Sequence, residues 1–318
     1  MKTDVLCVGP AYAEIVYTTK TFEVSLLPER IRTLVNNHAS VEANEVIFGG
    51  GGGGYIAALT CARLGLNVAL ATQVGQDNLG CELLRKLSSA GVHTEPSEQT
   101  TQSATSICTL LRSAKDDLFA ISSNDNKRSY GKAFVTGLPS RAWLYLSGPF
   151  ADLGDLKLLL SSAAKAKTLV AIRLTSRDLS NARRILKHLA MADICFFDRD
   201  DAEMLTHQTD VRSALGSLRA SGLKTIVVLD DTKYAHGLHD GFYYETKQRS
   251  TLKRINETGM SEAFAPAFLA SYLREPNFED ALSFGLHTAR SVAHFVGSEA
   301  GIPKNIPQRH GKVRKNFI

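Results

Sequence analysis

Short apolar runs alternate with segments of helical period along almost the whole chain. Residues 4–9, 68–74, 142–146, 168–172, 193–197 and 225–229 are mostly apolar at successive positions rather than at every second one. A strand with both faces buried reads in this way. Between these runs, residues 56–65, 79–90, 152 to about 165, 181–189, 200–206 and 211–220 carry apolar side chains at helical spacing, as do 260–273 and 278–296 near the end. Gly65 and Gly91 supply stops for the first two of these segments. Strand, helix and strand in succession predict an α/β fold, a doubly wound and mostly parallel sheet with helices on both faces. With 318 residues, 44% hydrophobic and 22% charged, the chain can bury a sizeable core and reads as one domain over residues 1–318.

Two segments break the rhythm. Residues 15–48 and 99–125 are rich in Thr, Val and Ser and lack long helical patterns. Within and beside them, "TSICTLL" and "DLFAISS" read as strands of a small separate β-sheet. Inserted from about 15–48 and 99–125, such a sheet forms a lid over the carboxyl edge of the main strands. Two solvent-facing hairpins with no gating role are the other reading.

Composition excludes several classes of function. The net charge is +5, and Lys304, Arg309, Lys312, Arg314 and Lys315 gather much of the excess at the C-terminus. No aromatic or Arg-rich surface motif accompanies them, so they read as a solvated tail and not as a nucleic-acid site. The five cysteines, Cys7, Cys61, Cys81, Cys108 and Cys195, are scattered, odd in number and never paired as C-x-x-C. That argues against a disulfide framework or a structural zinc site and favours a reduced, cytoplasmic setting. The apolar run at the N-terminus is too short and interrupted for a signal peptide, and no run approaches the length of a membrane span. His236 and His239 stand three positions apart, but no histidine is read as a metal ligand.

The most conspicuous local feature is the glycine run 49–54, lying between "EVIF" and a helical segment. Glycines in that place let a ligand approach the backbone closely. The run is not a Walker loop, because no Lys-Ser or Lys-Thr follows it. The second feature is residues 256–264, "NETGMSEAF", where an irregular segment passes into an apolar helix. The first amides of a helix lack intrahelical partners and attract anions. Glu262 there has two readings, a reactive group beside a bound phosphate or a carboxylate that stabilises the helix dipole.

Several segments together carry a resemblance. Gly51-Gly52, Ala58, Arg63-Leu64-Gly65, the stretch "VGQDNLG" from Val74, and Leu87 to Gly91-Val92 resemble the N-terminal signature of the ribokinase-like (PfkB) carbohydrate kinases. "ADI" at 192–194 and "AEMLT" at 202–206 look like the mid-chain segment of that family, and "NETGMSEAF" stands in the place of its D-T-x-G-A-G-D-A-F signature. "APAFLASYL", the segment 289–297 and Gly301-Ile302-Pro303 resemble its closing helices and nucleotide-side loop. The resemblance covers nearly the whole chain. It implies a ribokinase-like fold and an ATP- and Mg2+-dependent transfer of phosphate to a hydroxyl of a small sugar, polyol or nucleoside. A homodimer formed through the lid is implied as well.

Carried over by position, the resemblance makes Glu262 the catalytic base, where the family has Asp. The amides of Gly259, Met260 and Ser261 become the anion hole, and Met260 and Ser261 replace Ala and Gly. Glu14, Gly51, Gly52 and Arg173 fall on the substrate side, with Ile56 where an Asn is usual. Asp198, Asp201 and Leu229 fall on the nucleotide side, with Asp198 and Asp201 as carboxylates for Mg2+, directly or through water. Each acidic residue also has a plainer reading: Asp198 to Asp201 as a helix cap, Glu14 as the buried partner of an arginine. Arg173 inverts a charge, and would pair with Glu14 or the acidic residues at 198–201, or bind an anionic ligand. So many altered positions leave a second reading open, a catalytically lapsed relative that binds a ligand or a partner.

Overall fold

The computed structural model describes residues 3–19, 24–27, 30–33, 42–113, 118–123, 142–150, 152–179, 182–248, 258–307 and 311–317. Asn256 and Glu257 of the "NETGMSEAF" stretch lie outside the described residues, as does much of 15–48 and 99–125. The main sheet has nine strands. Five neighbours run parallel from Val68–Ala71 through Val5–Val8, Trp143–Ser147 and Leu169–Arg173 to Ile194–Asp198, and Thr225–Asp230 continues them. Three antiparallel strands, Tyr234–His239, Phe242–Lys247 and Val313–Phe317, extend that edge.

The continuous apolar runs have a direct cause. Side chains alternate across a strand, so a strand covered on both faces must be apolar throughout. Val5 and Cys7 enter one core while Leu6 and Val8 enter the other, and Ile194 and Phe196 are likewise separated from Cys195 and Phe197. On the first face pack helices Gly53–Arg63, Asn78–Ser89, Met260–Arg274 and Phe278–Ala293. On the second pack Leu153–Ala166, Ala182–Leu189, Arg199–Thr206 and Val211–Ala220. The expected α/β architecture is therefore present.

The small sheet has the order Leu118–Ser122, Ile107–Arg112, Tyr12–Thr18, Glu45–Gly51, with the two central strands parallel. Its inner side carries Val16, Cys108 and Leu110, which form their own small core with Ile47 and Val296. A further hairpin pairs Val24–Leu27 with Arg30–Thr33.

Two sequence readings need correction. The basic C-terminus is not a loose tail: residues 313–317 form the edge strand beside Phe242–Lys247, with most side chains exposed and Lys315 Nζ 4.2 Å from the centroid of the Phe242 ring. The last long helix ends at Ala293 rather than at 296, since Gly297 takes a left-handed turn with φ 88°. All five cysteines are free thiols. No helix among the described residues is long and apolar enough to cross a membrane.

Candidate active site

The sheet order sets where a ligand can sit. From Val5–Val8 the chain crosses to Val68–Ala71 on one side and returns to Trp143–Ser147 on the other. Ligands of open α/β sheets bind outside the carboxyl ends of the strands at such a switch. Here those ends lead into Gly9, Pro10 and Tyr12, and into Ser147. The glycine run comes down on them. Gly54 packs against Gly9, and Gly53 against Ser147, so closely that a Cβ on either would overlap its neighbour. Gly52 has φ 97°, and a Cβ there would lie 2.5 Å from the Pro10 carbonyl oxygen. Only glycine makes this bend between strand Glu45–Gly51 and helix Gly53–Arg63.

Above this junction is a cavity of about 250 Å3, with Tyr12, Gly52 and Ile56 on one wall. Thr258, Gly259, Ser261, Glu262, Arg173, Asp198 and Ser298 complete its lining. The mouth of helix Met260–Arg274 opens into it. Gly259 has φ 82° and no side-chain cap reaches the helix. The first helical bond runs from the Ala263 amide to the Gly259 carbonyl at 3.0 Å. Among the described residues no acceptor takes the amides of Met260, Ser261 or Glu262. These are the outward-facing donors of a helix start, and they favour negative charge. The Met260 side chain, 6% exposed, joins the core and does not fill the seat.

The charged groups meet at the ends of three elements. Arg173 closes strand Leu169–Arg173, Asp198 closes the neighbouring strand, and Glu262 stands in the first helical turn. Arg173 Nη2 lies 3.0 Å from Asp198 Oδ2, and Nη1 lies 3.3 Å from Glu262 Oε1. Burial works against the charge on Arg173, but Glu262 and then Asp198 outweigh it, so the guanidinium is held more firmly protonated than usual. Of the pairings expected for Arg173, the one with Asp198 forms; Glu262 takes the place of Glu14 as the second partner.

Several expected ligand contacts have other work. Glu14 is 1% exposed, and its carboxylate accepts the amide of Ser298 at 2.7 Å and the Ser298 hydroxyl. Burial raises its pKa, and the two Ser298 bonds work against that rise. It supports the cavity rim and does not face the cavity. Gly51 also stands back, because the Tyr12 ring fills the space a side chain would need, 2.4 Å from an ideal Cβ. Leu229 is 3% exposed and belongs to the core opposite Ala235, so it offers a ligand no side-chain contact. The chain reverses just beyond it at Asp231, whose φ is 58°.

Asp198 occupies the cap position of helix Arg199–Thr206 but makes no side-chain cap bond, its carboxylate being turned to Arg173. Asp201 is 7% exposed. Its carboxyl is pushed up to about 6, first by burial and then by the charge of Asp198, with Arg173 opposing. The expected Mg2+ pair is therefore not a pair of open oxygens: one carboxylate holds a guanidinium and the other is enclosed. Among the described residues no group of three or more His, Cys, Asp or Glu is arranged to hold a metal ion. These residues do not fit a direct Mg2+ site.

Sequence reasoning missed Tyr12 and Ser298. Tyr12 lies two residues before Glu14, and its ring is the natural filler of a space left by glycines. Ser298 follows the left-handed Gly297. A Gly-Ser pair after a helix is a turn signal, but nothing local reveals that it meets residue 14.

The comparisons with known proteins agree with this architecture. The pattern described as pfkB family carbohydrate kinase matches residues 3–305. A cytidine kinase from Thermococcus kodakarensis is 28% identical over 147 residues, 45% of this chain and about half (52%) of that protein. Among solved structures, a carbohydrate kinase from Agrobacterium tumefaciens superposes with a TM-score of 0.76 at 19% identity, covering 99% of this chain and 100% of the other. The ribokinase from Cryptococcus neoformans var. grubii serotype A, solved in complex with ADP, gives a TM-score of 0.74 at 15% identity over 95% and 97% of the two chains. Each structural likeness shows the fold, and the family pattern spans nearly the entire sequence. By that pattern, the chain belongs to the pfkB family of carbohydrate kinases.

Proposed function

We propose that this protein transfers the terminal phosphoryl group of ATP to a hydroxyl of a small sugar, polyol or nucleoside. The observation that carries the reading is the mouth of helix Met260–Arg274, where open amides and the Glu262 carboxylate share one cavity. Glu262 accepts the proton of the acceptor hydroxyl. The amides of Gly259 to Glu262 hold the oxygens of the transferred group, and Gly52 and Tyr12 wall the acceptor in. Arg173 fixes the Glu262 carboxylate by its bond at 3.3 Å. ATP supplies the phosphoryl group. Such a transfer depends on positioning and charge stabilisation, which a rigid helix start provides.

An assay coupled to ADP release, run over a panel of sugars, polyols and nucleosides, tests this. Turnover with at least one acceptor is expected. Folded protein that gives no turnover with any member, and no ATP binding by calorimetry, would remove the reading.

A specific observation favours the second reading, a ligand-binding relative without turnover. Glu262 is bound to a buried guanidinium rather than standing free. ATP or acceptor binding without ADP release would decide for it.

The partner is a second copy of the chain. The outer face of the small sheet exposes Phe48 at 67%, Ile121 at 53% and Val46 at 41%. Strand Glu45–Gly51 is an edge among the described residues. An apolar face beside an open edge is a pairing surface, and unprotected edges favour association.

A further inference from the structure

We propose that Arg173 is the resident cation of this site, its guanidinium taking the place between Asp198 and Glu262 where two facing carboxylates would otherwise draw a divalent metal ion. The inference rests on the reading of this cavity as the transfer site, but its test does not require turnover.

Two acidic side chains at one cleft repel each other unless a positive charge stands between them. Here the chain supplies that charge itself. The guanidinium is 7% exposed, and its two terminal nitrogens are divided between the two acids at 3.0 and 3.3 Å. It reaches the cleft from inside the sheet, as the last residue of strand Leu169–Arg173, and its main chain is fixed by the ladder to Phe196. A surface arginine could swing into water when a metal arrives. Arg173, 7% exposed and bonded at both terminal nitrogens, would have to break both bonds to do so.

The alternative is a metal bound by the same acids. Magnesium demands a near-octahedral shell of oxygens at about 2.0–2.1 Å. One oxygen of each acid, Asp198 Oδ2 and Glu262 Oε1, is already bonded to the guanidinium. Asp201, the third acid nearby, is enclosed at 7% exposure. A divalent ion placed there would stand against the buried guanidinium of Arg173, which is 7% exposed, and like charges at that range repel. A guanidinium also has a planar fork that suits carboxylate pairs and stays charged. The protein thereby contributes a fixed positive charge at a point where the resemblance implies a metal.

The experiment titrates the full chain with Mn2+ alone, read by electron paramagnetic resonance and calorimetry. For the unaltered protein, no saturable binding tighter than about 1 mM is expected. Arg173→Met removes the charge but keeps the length, and is expected to tighten Mn2+ binding at least about tenfold. Adding Asp198→Asn to that variant is expected to abolish the gain. If Arg173→Met does not fold, Arg173→Gln carries the same comparison. Saturable Mn2+ binding in the unaltered protein that Asp198→Asn weakens would overturn the proposal, as would a folded Arg173 variant with no gain. Failure of ATP binding would remove the kinase reading and leave the Mn2+ result standing.

Discussion

Asp201 gives a quantitative handle on the acidic floor of the cavity. It is 7% exposed, and its carboxyl is raised from 3.8 to about 6, burial being the main cause and the Asp198 charge the next. The unfolded chain leaves it near its ordinary value. At about 1.4 kcal/mol per pH unit, that rise corresponds to about 3 kcal/mol. Partial access to water reduces this to roughly 1–2 kcal/mol. The sign follows from proton linkage. Below the unfolded value both states carry the proton and nothing is lost; between about 3.8 and about 6 the unfolded chain ionises first and stability falls, and above about 6 the folded state holds an ionised, enclosed carboxylate at the full cost. Asp201 therefore lowers stability as pH rises. Asp201→Asn, which cannot ionise and keeps the shape, is expected to be more stable than the parent by about 1–2 kcal/mol at pH 7.5, with the difference vanishing near pH 4. Urea unfolding at the two pH values measures this directly. An Asn variant that is less stable at pH 7.5, or equally altered at both pH values, would refute the argument. It would mean that the carboxylate is a needed partner and not a burden.

Other expectations follow from the same geometry. Glu262→Gln should lower kcat about 10²–10⁴-fold while leaving the fold and ATP affinity intact, as expected of a lost base; single-turnover and binding measurements separate the two. Gly52→Ala should destabilise by about 2–5 kcal/mol, combining left-handed strain with the overlap at Pro10, which denaturant titration reads. If the small sheet pairs two copies as proposed, Phe48→Asp should lower the mass seen by light scattering without changing the far-ultraviolet circular dichroism.

The parallel strands were legible because each is buried twice, so Val5–Val8 and Ile194–Asp198 stand out as unbroken apolar runs. The antiparallel extension was not, because Tyr234–His239 and Phe242–Lys247 mix aromatic, histidine and charged residues. Residues 313–317 look like a polar tail until Phe242–Lys247 is there to pair with them. At the cavity, the helix mouth could be read from Gly259 and Glu262, since its chemistry is local. Glu14, Gly51 and Leu229 stand outside the cavity lining because burial decides their place, and burial is a property of partners far along the chain. Position 14 meets position 298 across 284 residues. No pattern of spacing records such a meeting.

That long bond has a mechanical consequence. Glu14 belongs to the central part of the small sheet, Ser298 to the loop after the last long helix, and a Cβ on Gly259 would touch Ser298 at 2.8 Å. The small sheet is thus hitched to the very backbone that presents the helix-start amides. Tilting it would tug on residue 298 and, through van der Waals contact, on residue 259. A movement of the small sheet would thus reach the start of helix Met260–Arg274 through a single carboxylate.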